Sequence, residues 1–103
     1  MVISYTFIDM AKYFDESVEL PHFEKLSYRV NKKIFATLDT LNNIAVLRLT
    51  PVDQGEFCER DEMSTYPARG QWGKVGYTCF ELNKLKRELA LSAVTRSYCN
   101  VAL

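Results

Sequence analysis

The order of residue patterns along this 103-residue chain predicts an α+β domain: an antiparallel sheet with N- and C-terminal helices packed on one face. Three observations carry that expectation. Apolar residues recur at helical spacing near the start, three β-rich runs follow one another, and a wide apolar stripe closes the chain.

From Thr6, the residues Phe7, Met10, Ala11, Phe14 and Val18 recur at steps of three and four, while Asp9, Lys12, Asp15, Glu16 and Glu19 take the opposite face. Pro21 is expected to end this helix, because it pushes its predecessor out of the helical region and lacks an N–H. "LSYRVNKKIFATL" then alternates through β-branched and aromatic residues around Asn31 and Lys32, a hairpin pattern. "DTLNN" reads as a second turn and "IAVLRL" as a third strand, giving a meander. "TPVDQGEFCERDE" carries helix-start signals, with Thr50 as N-cap, Pro51 at the first helical position and Asp53 facing free amides. Within it Gly55 weakens the helix by up to about 1 kcal/mol. After a glycine-rich loop, "GYTCFEL" sets Thr78, Phe80 and Leu82 against Tyr77, Cys79 and Glu81, which is strand spacing. Asn83 is expected to cap a closing helix whose stripe includes Leu85, Leu89, Leu91, Ala93, Val94, Tyr98 and Val101.

With 48% hydrophobic residues, the chain can close one apolar core, so residues 1–103 are read as a single domain. Thirteen cations balance thirteen anions, and nothing in the total demands a polyanionic partner. The three cysteines, Cys58, Cys79 and Cys99, have neither disulfide-framework nor zinc-ribbon spacing, and are expected as buried thiols in a reducing compartment. The sequence has no secretory-signal pattern and no apolar run of membrane-spanning length, so a cytoplasmic location and no membrane partner are expected.

The neutral total conceals blocks. Residues 1 to 24 and 49 to 62 are acidic, while 25 to 48 and 63 to 103 are basic. If Tyr28, Val30, Ile34, Ala36 and Leu38 face the helices, a period of two sends Arg29, Lys33, Phe35 and Thr37 to the open sheet face, where Tyr77 joins them. Cations interleaved with rings suit nucleic acid, since cations neutralise phosphates and rings stack on bases. The plainer reading is a solvated sheet face whose charges pair within the molecule. In "ARGQWGKVG", the glycines either permit positive φ in a hairpin turn with Trp72 packed over the core edge, or let Arg69, Trp72 and Lys74 project as a wing.

Catalytic and metal constellations find little support. The sole histidine, His22, has no sequence-adjacent partner set, and structural service is expected of it. Asp15, Glu16 and Glu19 form an acidic helix face, and the cysteines have no neighbouring base. "GQWGKVG" lacks the lysine-serine ending of a phosphate loop. No enzymatic activity, cofactor or metal is therefore expected.

Read in order, "LPHF" at 20 to 23, "SYRVNKKIFATL" at 27 to 38, "VLRLTPVDQ" at 46 to 54, "YPARGQWGKVGYT" at 66 to 78 and "SY" at 97 to 98 resemble the MmcQ/YjbR family of small bacterial proteins. That resemblance implies a CyaY-like α+β fold with a double-wing DNA-binding motif, Lys33 lying in one wing and Trp72, Gly73, Lys74 and Gly76 in the other. The expected function is weak, salt-dependent DNA binding through Arg29, Lys32, Lys33, Phe35, Arg69, Trp72, Lys74 and Tyr77. One alternative is a protein-interaction or self-associating domain using the open face. A more distant one, drawn from the CyaY-like resemblance, is iron handling by the acidic first helix.

Overall fold

A computed structural model describes residues 2–102. The chain runs α1 (Ser4–Lys12), β1 (Val18–His22), β2 (Lys25–Val30), β3 (Lys33–Asp39), β4 (Ile44–Arg48), α2 (Pro51–Arg60), β5 (Thr65–Pro67), α3 (Gly70–Lys74), β6 (Tyr77–Glu81), a 3-10 turn (Leu82–Lys84) and α4 (Arg87–Ala102). The six strands form one antiparallel sheet in the order β1-β2-β3-β4-β6-β5. The first four strands meander, and β6 then inserts between β4 and β5. Helices α1, α2 and α4 cover one sheet face, as predicted, around Phe7, Tyr28, Leu38, Leu47, Phe57, Phe80 and Ala93.

The β2–β3 turn is closed by Asn31 (φ 53) and Lys32 (φ 66), the paired left-handed residues of a tight hairpin. In the next turn, the Asp39 carboxylate accepts the backbone N–H groups of Leu41 and Asn42, each at 3.1 Å. The Thr50 hydroxyl accepts the Asp53 N–H at 3.1 Å and Pro51 opens α2, as the cap signals require.

Four expectations are corrected. The first helix ends at Lys12, not at Pro21; the Ser17 hydroxyl takes the freed Ala11 carbonyl at 2.8 Å, and residues 18–22 pair with β2 instead. Pro21 thus lies in an edge strand, where a missing N–H is tolerated. Asn83 belongs to the 3-10 turn and accepts from the Asn43 amide at 2.7 Å, so it does not cap α4. The glycine-rich segment forms α3 rather than a hairpin turn. The free thiols are less buried than expected: Cys58 and Cys79 are half-buried and Cys99 is exposed.

The main departure in side-chain facing comes from a β-bulge. Tyr28 pairs with Ala36 while Arg29 pairs with Ile34, leaving Phe35 as an extra residue. The bulge turns Phe35 toward the helices, where it is fully buried beside Tyr98 (5.4 Å between rings) and Phe14 (6.4 Å). Its carbonyl is satisfied by the buried Ser97 hydroxyl of α4, for which the Arg48 carbonyl is a second acceptor.

Candidate functional site on the open sheet face

The face of the sheet away from the helices is built by strand alternation. One cross-strand row runs Leu20, Ser27, Thr37, Val46, Cys79 and Tyr66, flanked by Arg29 beside Ile34 and by Arg48 beside Tyr77. The row itself carries no charge, and the two arginines flank it. Ile34, Thr37 and Val46 floor a trough of about 630 Å³, with His22 on one bank and Ala68, Arg69, Trp72 and Tyr77 on the other. A neighbouring hollow of about 510 Å³ shares Thr37, Val46 and Arg69 and extends to Lys25, Ile44 and Tyr66.

The aromatic bank is held by backbone approaches that leave no room for larger side chains. A Cβ on Gly73 would lie 1.9 Å from the Ala68 carbonyl oxygen, and one on Gly76, at φ +116, would lie 1.9 Å from that of Leu49. The Gln54 carboxamide of α2 donates to the carbonyls of Gly73 (2.9 Å) and Tyr77 (3.0 Å), pinning α3 to β6. Trp72 consequently meets Tyr77 edge to face at 5.2 Å yet stays 65% exposed. The Arg48 guanidinium lies 5.8 Å from the Tyr77 ring centre on the same side.

Of the residues expected to contact nucleic acid, Arg29, Arg69, Trp72 and Tyr77 come together on this face. Phe35 borders the trough floor, but its side chain does not join them, being fully buried by the bulge. Lys33 pairs with Val30, a core residue, and so projects on the helix-bearing side rather than the open one. Lys32 sits at the hairpin tip, and Lys74, in the last turn of α3, does not line the trough. The second wing is thus a short helix on the rim of the sheet.

Sequence reasoning missed Arg48, although the buried neighbours Leu47 and Leu49 mark it as outward-facing. It also missed Phe23. His22 pairs with Lys25 across a two-residue turn in which Phe23 has φ 59, the left-handed first position that such turns usually give to glycine. Holding a phenylalanine there costs on the order of 1–3 kcal/mol, and the residue is 94% exposed, so burial in the core does not offset it.

Acidic groups on this face are locally engaged. The Lys84 ammonium at 3.1 Å, with the neighbouring Tyr66 hydroxyl, holds the Glu81 carboxyl below its ordinary range. Hydrogen bonds from Asn42 and Leu41 do the same for Asp39. Burial pushes the Cys79 thiol up, which disfavours the nucleophilic thiolate. Among the described residues, no group of three or more His, Cys, Asp or Glu side chains is placed to hold a metal ion. Asp15 and Glu16 follow the end of α1 and Glu19 lies in β1, so the acidic helix face expected of the three does not form.

Fold and site together define a class: a small α+β domain with one sheet face covered by helices and the other left as an aromatic-banked trough. No family model and no curated protein matches the sequence. Among solved structures, the chain is similar to Deinococcus radiodurans protein DR2400, described by the family-model domain DUF419. The two share 19% identity and a TM-score of 0.82 over 98% of this chain and 79% of that one, a likeness of fold. Among the described residues, no helix is long and apolar enough to cross a membrane.

Proposed function

We propose that this protein is a non-enzymatic binding module of the reducing cytoplasm whose working surface is the open sheet face, and that it binds a protein segment. The observation that carries the reading is the trough itself: an apolar floor of Ile34, Thr37 and Val46 beside the exposed Trp72. Exposed apolar concavities of this kind mark interaction sites. Arg69 lines the trough and Arg29 and Lys25 lie on the same face, so the favoured segment joins a ring or branched aliphatic side chain to a carboxylate. Panning a displayed peptide library should enrich such sequences, and their amide shift perturbations should centre on Thr37, Val46 and Tyr77. Perturbations centred on α4, or no enrichment, would overturn it.

DNA binding is the second reading, favoured by Lys25, Arg29, Arg48 and Arg69 gathered on one face with an exposed tryptophan. The fold likeness supports the MmcQ/YjbR resemblance, since DUF419 lies in that superfamily. Fluorescence anisotropy with a labelled single strand and a labelled duplex tests this reading. Affinity should fall steeply with salt, and each lost phosphate contact, as in Arg29→Glu or Arg69→Glu, should reduce the log–log slope by roughly one. An apolar floor with three of the expected cations elsewhere favours protein over nucleic acid.

A further inference from the structure

We infer that the segment seated in the trough is the β1–β2 turn of a second copy of this chain, with Phe23 as the anchor. The inference rests on the protein-segment reading of the open face and names its partner.

The turn carries the chemistry the trough selects: an exposed ring followed at once by a carboxylate, Glu24. Phe23 is held in a conformation that glycine would adopt without strain, and its ring contributes almost nothing to its own core. Strain kept at an exposed aromatic residue is accounted for when the ring is used outside the monomer. Anchor and receptor also share one surface. His22 lines the trough, and its ring lies 5.0 Å from that of Phe23. A two-fold interface requires this arrangement, because each copy must present both the projection and the hollow on one patch. With Phe23 seated, Glu24 meets the arginine margin of the partner trough, and the partner returns the same pair of contacts.

Nothing long-range opposes the encounter, since thirteen cations and thirteen anions leave each copy without net charge. A standard interface takes about 800 Å² from each partner, an eighth of the 6457 Å² surface.

Sedimentation across micromolar to millimolar concentrations should show the mass rising from 11.9 kDa toward twice that value. Phe23→Gly should weaken association at least tenfold while leaving the dilute protein's melting temperature unchanged or higher. Val46→Lys, which sets an ammonium in the trough, should weaken association as strongly. Mixing the two variants should restore part of it, because the glycine variant keeps its trough and the lysine variant its phenylalanine, so one of two contacts reforms. A wild type that stays monomeric, an unaffected Phe23→Gly, or a mixture no tighter than either variant alone would overturn the inference. If library peptides still map to the trough in that case, the binding-module reading stands; if they do not, both readings fall.

Discussion

Phe35 and Phe23 illustrate how one backbone feature changes what a phenylalanine does. The extra residue in β3 moves Phe35 from the expected open face into the core, so Phe35→Ala should cost about 3–5 kcal/mol in chemical denaturation, the range for a buried phenylalanine. A surface ring would cost far less. Tyr28 supplies a pH test. It is fully buried, and its hydroxyl donates to Glu19 at 2.8 Å. Burial first, and then the Glu19 carboxylate, push its ionisation well above the ordinary tyrosine value of about 10. The neutral phenol is the form the fold holds, so this contribution is complete below pH 10 and is lost as the pH rises beyond it. Absorbance at 295 nm should show Tyr28 ionising only as the protein unfolds.

Element by element, the glycines separate by what surrounds them. A Cβ added to Gly55, inside α2, would meet nothing within 4 Å, so Gly55→Ala should stabilise by about 0.5–1 kcal/mol through helix propensity. Gly76→Ala meets the Leu49 carbonyl at a positive φ, and should fall at the destabilising extreme of single substitutions, about 4 kcal/mol or more. Thermal melts of the two variants should move in opposite directions. Because Gly73 and Gly76 bracket the end of α3, the second should also release Trp72 from Tyr77 and shift its fluorescence to the red. The short helix is thus positioned by close backbone contact more than by its own five residues.

For the molecule as a whole, neutrality separates the two functional readings. Association of copies without net charge through an apolar trough, with only the Glu24 contacts to screen, should weaken far less between low and high salt than phosphate binding, which should collapse, and one titration series measures both. The layered fold was legible because periodicity reports burial: Phe7, Met10 and Ala11 in α1, the alternation in β4 and β6, and the cap at Thr50 all read correctly. The site was half legible. Arg29, Arg69, Trp72 and Tyr77 followed from strand parity and the glycine-rich stretch, but a bulge has no composition of its own, and it misassigned Ile34 and Phe35. Lys33 failed for the same reason, since parity counted through an extra residue inverts. β1 escaped notice because its apolar residues continue the spacing of α1, and edge pairing decides the conformation only in three dimensions.

The strand order also bears on synthesis. β4 finds its second neighbour only when β6 is made, nearly thirty residues after Arg48 leaves the ribosome. Until then the nascent meander carries an open hydrogen-bonding border along Ile44–Arg48, a template for pairing with other chains. Chaperone dependence during translation should therefore be concentrated in that interval and vanish once Tyr77–Glu81 has closed the gap.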